Sequence, residues 1–294
     1  MADGSAQVPE LSWLVVTHDD GRHLRRLLPA LAEVRERHAA LALQSELILA
    51  DNASRDDSRQ VAQQLAPGAT LLGLPANCGY GGALNAAAAV ARGRWLACVN
   101  ADLLPTRVGF AALPAVLAAA PPSCAVIGPA LFDATGRRQP SVGRWPSLPD
   151  LLTGLLRRPE HRRTLPVRRH VRGFVPWVSA ACLFVRAEAL AQAGGFRPEY
   201  FVYYTEVDLA RRLQAAGRRI LYEPALQAGH AAPLHGRPRD RATAEHVRAA
   251  RRAYFRHHRP GWEQSALAVL ESIERRLRPG RESPPAGQRA QAAP

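Results

Sequence analysis

Four carboxylates and one histidine stand where a metal-assisted site for a phosphorylated ligand could be assembled. Asp51, with Asn52 beside it, ends an apolar run, and Asp102 follows another. Glu206 and Asp208 open a helical stretch behind the aromatic run 201–204, and His230 lies beyond the last strand-like segment. A nucleotide diphosphate needs a carboxylate or amide to read its base and ribose. It also needs a divalent cation on its phosphates, and Mg2+ or Mn2+ favours oxygen ligands, with imidazole tolerated by Mn2+. A reacting hydroxyl needs a base to take its proton. Asp102, His230 and Glu206 have the chemistry for the metal ligands and the base.

The elements between these residues must deliver them to one place. Apolar, non-alternating runs predict strands over 11–17, 46–51, 70–74 and 95–100. Leu24, Leu27, Leu28, Leu31 and Val34 recur at helical spacing over 22–38, and a second helix passes through Val61 and Leu65. A glycine-rich turn over 77–82 leads into an alanine-rich helix ending near Gly93. Such alternation predicts an α/β fold with a mostly parallel central sheet flanked by helices. Ligands of such sheets bind beyond the carboxyl ends of the strands, where Thr17, Asp51 and the segment Asn100 to Asp102 fall.

The second half is less regular. A strand over 126–133 enters a turn at 134–136, and the Pro- and Arg-rich stretch 137–175 reads as a long loop with a short helix at 148–156. Residues 177–186 read as one strand, 187–193 as a short helix stopped by Gly194-Gly195, and 206–216 as a helix. A last strand over 219–223 is closed by Pro224, and helices follow over 242–258 and 264–277. These limits give a flexible N-terminus at 1–10 and one domain over 11–260. It divides into a regular half over 11–105 and a less regular half over 106–235. A C-terminal helix over 261–278 and a compositionally disordered tail over 279–294 complete the chain.

Composition narrows the class. With 294 residues, 47% of them hydrophobic, the chain can bury one sizeable core. The net charge is +14 and all 39 basic residues are Arg, a bias that attracts phosphates and anionic headgroups. The four cysteines form no CxxC pair, which fits a reduced, cytoplasmic protein better than a disulfide scaffold. No apolar stretch has the length of a membrane span or the form of a signal peptide, so any membrane contact is expected to be peripheral. Charge alone would allow nucleic-acid binding. Yet only 6% of the residues are aromatic, most of them inside the segments already assigned, and no helix-turn-helix or zinc pattern is visible.

The segments VVTHDDGRHLRRLLPAL, LILADNASRDDS, NCGYGGALN, VNADLLP and the run from Trp177 to Pro224, with His230 beyond, resemble glycosyltransferase family 2 in its rhamnosyltransferase-like branch. They stand in family order from about Leu11 to His230. The resemblance implies a GT-A fold and an inverting, Mg2+- or Mn2+-dependent transfer. The sugar would pass from a nucleotide-diphosphate donor, dTDP-rhamnose favoured, to a lipid-linked or polysaccharide acceptor in cell-envelope glycan synthesis. The inner face of the plasma membrane is the implied setting. It places Thr17, Asp51 and Asn52 at the nucleoside and has Asn77, Gly79, Gly81 and Asn85 shape the donor turn. Asn100 and Asp102 fall at the family's DxD position, with Asp102 and His230 as metal ligands. Trp177, Ser179, Ala180, Tyr204 and Asp208 fall on the sugar and acceptor side, and Glu206 is the base. One departure stands out: the family's acidic pair is replaced by Thr205-Glu206, so the base carboxylate is one methylene longer.

Each residue also has a plainer reading. Asp51-Asn52 alone would be a turn, Asp102 a helix cap, His230 a surface histidine and Glu206 a helix-start carboxylate facing the dipole. Asp208 could be another first-turn acid, and Tyr203 and Tyr204 core residues. Gly79-Tyr80-Gly81-Gly82 lacks the spacing of a dinucleotide-binding turn. Thr205-Glu206 leaves a second expectation open, a family member that binds nucleotide sugar without efficient turnover.

Overall fold

β1 (Leu11–Thr17) is buried along its whole length, because both of its faces carry apolar side chains that need cover. The computed structural model describes residues 8–106, 108–156, 171–231 and 241–277. The expected flexible start and disordered tail, and the Arg-rich stretch 157–172, lie largely or wholly outside these residues.

Beside β1 run β2 (Ser45–Asp51), β3 (Thr70–Gly73) and β4 (Trp95–Asn100), all parallel, in the order β3-β2-β1-β4. The crossovers are α1 (Gly21–Ala39), α2 (Ser58–Leu65) and α3 (Gly79–Val90). Alternation along β1 divides the core in two. Trp13 and Val15 pack with Leu24, Leu28 and Val61 on one face. Leu14 and Val16 pack with Ala83, Leu84 and Ala87 on the other. The register sets Thr17 opposite Asp51 and Val16 opposite Asn100, so the expected ligand residues share one sheet edge.

β5 (Leu103–Pro105) and α4 (Leu113–Ala118), which the sequence pattern did not reveal, precede β6 (Cys124–Phe132). The stretch 137–175 is more structured than a loop where it is described. It holds β7 (Arg138–Gln139), β8 (Val142–Gly143), α5 (Leu148–Leu156) and β9 (Gly173–Val175).

Residues 177–186 do not form one strand. β10 (Trp177–Val178) pairs with β8 in a separate two-stranded sheet, while β11 (Cys182–Arg186) enters the main sheet antiparallel between β4 and β6. The break at Ser179 to Ala181 is held by Ser179 N–H donating to Ser141 O and by Asn100 N–H donating to Ala181 O.

α6 (Ala187–Gln192) and α7 (Thr205–Ala215) follow. β12 (Arg219–His230) runs past the proline expected to end it. Pro224 has no N–H to give, and the ladder to β6 shifts register between Glu223 and Gln227 before resuming. His230 therefore closes the strand rather than lying beyond it, and pairs with Leu103. Among the described residues the main sheet has ten strands, with path order β3-β2-β1-β4-β11-β6-β12-β5, flanked on one face by α3, α6 and α7. α8 (Arg241–His258) and α9 (Gly261–Leu277) pack against each other and add Tyr254, Phe255 and Leu267 to that face.

Candidate active site

The loops after β1 and β2 are tied together by side chains. Asp19 accepts from Arg55 N–H at 2.6 Å, and Ser54 and Ser58 hydroxyls accept from Asp19 and Asp20 N–H. Asp51, 4% exposed, accepts from Ser54 N–H and borders a cleft of about 600 Å³ with Arg59, Gln63, Gly73 and Pro75. Thr17 presents a buried hydroxyl with no hydrogen-bond partner. A buried polar atom of that kind calls for an explanation, and a ligand group is one.

The asparagines behave differently. Asn52 donates to Asn77 Oδ1 at 2.9 Å and accepts from Cys78 N–H at 3.0 Å, while Asn77 Oδ1 also accepts from Gly79 N–H. Asn85 bonds both ways to the Phe196 backbone, at 2.7 and 2.8 Å. These amides shape the backbone around the site, and Asn52 does so instead of facing the cleft. Gly79 has φ +76°, and a Cβ there would lie 2.4 Å from Phe201 O. That contact lets Tyr80 N–H donate to Phe201 O and brings the start of α3 against the loop before α7. Gly81 approaches Phe196 and Thr205 in the same way.

β12 and β5 bring Asp102 and His230 together. Ala231 N–H donates to Asp102 O, and His230 Nε2 lies 3.3 Å from Asp102 Oδ1. His230 is 3% exposed and its Nε2 makes no hydrogen bond. An acidic oxygen and a buried imidazole nitrogen converging in this way fit a divalent cation. No group of three or more His, Cys, Asp or Glu side chains able to hold a metal occurs among the described residues. Two protein ligands suit an ion whose other positions fall to water and substrate phosphates. Gln139, which sequence reasoning did not single out, contacts His230 twice, through the ring at 3.0 Å and the backbone carbonyl at 3.0 Å.

Glu206 sits half-buried in the first turn of α7, and burial pushes its carboxyl up to about 7. Tyr203 and Tyr204 before it both have positive φ, 67° and 61°, a strained pair of the kind that gathers at functional sites. Thr205 is 1% exposed and its hydroxyl donates to Tyr200 O, so the residue in the place of the family's first acid is a packing residue. Tyr80, also not anticipated, donates its hydroxyl to Ala180 O at 2.8 Å. Its phenol is held well above its ordinary value by burial, with Cys98, Cys182 and then the Glu206 and Asp102 carboxylates adding to the effect. Tyr80 is therefore a neutral donor within electrostatic reach of both acids.

On the expected acceptor side the residues divide. Ser179 and Ala180 are each 8% exposed, at the break before β11, and Ala180 holds Tyr80. Trp177 is buried against Gly143 and donates its indole N–H to Arg144 O, a wall rather than an exposed stacking face. Tyr204 leans on Tyr254, with ring centroids 5.6 Å apart. Asp208 faces inward and is fully buried, bound by His258 at 2.7 Å, Arg212 at 2.8 Å and Arg197 at 3.2 Å. Burial would raise its carboxyl, but His258, Arg212 and Arg197 outweigh that and hold it below its ordinary value. Its place is the junction of α7 and α8, not an acceptor contact.

Fold and site together define a GT-A glycosyltransferase. The family model for glycosyl transferase family 2 matches residues 12–174. An N-acetylglucosaminyl-diphospho-decaprenol L-rhamnosyltransferase of Mycobacterium tuberculosis is 32% identical over 285 residues, covering 86% of each chain. The chain belongs to glycosyltransferase family 2. The rhamnosyltransferase WbbL of Escherichia coli is 38% identical over 56 residues, 19% of this chain and 21% of that one. Among solved structures, the fold resembles a Pyrobaculum calidifontis mannosyltransferase in complex with GDP-mannose and Mn2+, with TM-score 0.56 and 19% identity, covering 91% of this chain and 70% of that one. It also resembles S. aureus TarS residues 1–349, with TM-score 0.54 and 17% identity, covering 83% and 64%.

Proposed function

We propose that this glycosyltransferase moves rhamnose, with inversion, from dTDP-rhamnose to a lipid-linked or polysaccharide acceptor in cell-envelope glycan synthesis. The choice of sugar and acceptor is supported by the mycobacterial relative, whose name joins rhamnosyl transfer to a decaprenyl-diphosphate-linked N-acetylglucosamine. The chemistry is supported by one observation above others. His230 Nε2 and the Asp102 carboxylate converge to 3.3 Å at the sheet edge that carries Thr17 and Asp51, and Glu206 lies within electrostatic reach of the same buried Tyr80 as Asp102.

In this reading the base and ribose occupy the cleft at Thr17 and Asp51. The acceptor hydroxyl lies at Glu206, which takes its proton as the oxygen attacks the anomeric carbon from the face opposite the diphosphate. One glycosidic C–O bond forms as the bond to the diphosphate oxygen breaks. Tyr80 keeps Ala180 and the start of β11 against the site. Asp102 and His230 would hold Mg2+ or Mn2+, which when bound neutralises the charge gathering on the departing diphosphate. Glu206 is long by one methylene against the family pattern, yet its desolvated position gives it the basicity the step requires.

A lipid acceptor must be reached at a bilayer. Among the described residues no helix is long and apolar enough to cross a membrane, so the proposed attachment is peripheral. Tyr254 and Phe255 are core residues, but Trp262, Val269 and Ile273 are 68%, 61% and 43% exposed along one face of α9, with exposed Arg276 beside them. An apolar stripe with a cationic border suits the inner, anionic face of the plasma membrane.

Thermal unfolding with a panel of dTDP-, UDP- and GDP-sugars, with Mn2+ or Mg2+ and with chelator, tests the donor site. The expected result is a cation-dependent rise for dTDP-rhamnose that Asp102→Ala removes. A rise of equal size for every nucleotide, or one that Asp102→Ala leaves intact, overturns the assignment.

A further inference from the structure

His230 has two ring nitrogens, and only a bare one can accept a cation. The neighbouring amide decides which nitrogen is bare. The His230 carbonyl can only accept, so the group of Gln139 that meets it at 3.0 Å is the NH2. The amide oxygen of Gln139 then faces His230 Nδ1, also at 3.0 Å. An oxygen acceptor requires a proton on that nitrogen. Nδ1 thus carries a proton, and Nε2 is the nitrogen that faces Asp102, 3.3 Å away. Nε2 is buried and makes no hydrogen bond, so in the neutral ring it is the nitrogen left bare.

Gln139 is itself held in place. It is 7% exposed, and the β6–β7 hairpin sets it opposite Leu131. Asp133 closes that hairpin by accepting from Thr135 and Arg137 N–H. The two-point grip on ring and backbone then leaves His230 one orientation.

We propose that Gln139 is a positioning residue that locks His230 in the Nδ1–H tautomer and so presents Nε2, beside Asp102, to a divalent cation. This rests on the reading of Asp102 and His230 as metal ligands, and partners of this kind orient and tune such ligands.

Two measurements on the full chain test it separately. Nitrogen-15 spectra of the histidine rings, with His230 assigned by His230→Gln, are expected to show His230 as the Nδ1–H tautomer. Gln139→Leu is expected to lose that signature, and Gln139→Glu, which still accepts from Nδ1, to keep it. Titration of Mn2+ alone, followed by the electron paramagnetic resonance of the unbound ion, is expected to show about ten- to a hundredfold weaker binding in Gln139→Leu and near-normal binding in Gln139→Glu. Gln139→Leu and Gln139→Glu both lose the bond to the His230 carbonyl, so a similar fall in their unfolding midpoints beside different Mn2+ affinities separates positioning from folding. A wild-type His230 protonated on Nε2, or a Gln139→Leu chain with unchanged tautomer, overturns the proposal whatever the metal does. Mn2+ affinity unmoved by Asp102→Ala and His230→Ala would instead overturn the metal reading, leaving the tautomer result to decide the role of Gln139.

Discussion

Glu206 is the residue at which basicity and stability pull in opposite directions. Burial holds its carboxyl near 7, so the folded protein binds that proton more tightly than the unfolded chain does. Deprotonation therefore destabilises the fold increasingly as the pH rises from the ordinary carboxylate value to about 7, and fully above it. For a half-buried side chain this amounts to about 1–3 kcal/mol. Glu206→Gln should accordingly lose ~100-fold or more in kcat while unfolding a few degrees higher than the wild type at pH 8. A lower midpoint would show that the carboxylate is stabilised by contacts instead. As a base, Glu206 must be unprotonated, so kcat/KM should fall tenfold per pH unit below about 7, a slope that a pH–rate series reads directly.

At the same scale, residue type and position marked Asp51, Asp102, Glu206 and His230 as chemical groups, but not how their neighbours are used. Asn52 and Asn85 have the hydrogen-bonding capacity of ligand contacts, and that capacity goes to the backbone of residues 78–79 and 196. Gln139 carried no signal because it sits in a stretch without periodicity, and only the β6–β7 hairpin points it at His230. Tyr80 offered a faint one, as the single bulky residue inside a glycine run.

Among the elements, the parallel strands were the most legible. β1 and β4 are apolar runs cut off by polar residues, and their limits match the sequence pattern. β12 was not, because Pro224 reads as a stop whereas the strand absorbs it as a register shift. The segment 177–186 read as one strand because both of its parts are apolar, and nothing local says that they belong to different sheets.

α8 braces the segment that carries Glu206, the proposed base. His246 stacks on Phe201 with centroids 4.4 Å apart, Tyr254 meets Tyr204, and His258 reaches Asp208. Asp208→Asn leaves Arg197, Arg212 and His258 short of a buried negative partner, and should cost about 3–5 kcal/mol, seen as a lower denaturant midpoint. Because the folded carboxyl is held low, this contribution is present above the ordinary carboxylate range and is lost as the pH falls below it. Gly79→Ala tests the opposite side of the same contact. A side chain at φ +76° that meets Phe201 O should raise KM for the donor and lower the unfolding midpoint together. Wild-type values for both would remove the close approach from the account.

At the scale of the molecule, the parallel half carries Thr17 and Asp51, the proposed nucleoside contacts, and the later strands return the chain to the same edge with His230 and the turn before β11. The fold class was readable because strand–helix alternation dictates a mostly parallel sheet. Asp102 and His230 were paired by the family resemblance and not by any local pattern, since they meet only through the β5–β12 ladder. The Arg-rich composition bears on where this enzyme works. Vesicles containing phosphatidylglycerol should sediment the wild type, and Trp262→Ser with Ile273→Ser should weaken that binding about tenfold without changing the unfolding midpoint. Equal sedimentation of both would move the membrane face elsewhere.

The most direct test of the central claim is rhamnosyl transfer itself. Purified chain, dTDP-β-L-rhamnose, Mn2+ or Mg2+ and a short polyprenyl-diphosphate N-acetylglucosamine should yield a single α-linked product by NMR. Asp102→Ala and Glu206→Gln should each reduce its rate ~100-fold or more. A β-linked product, or a Glu206→Gln rate equal to the wild type, would contradict an inverting transfer with Glu206 as its base.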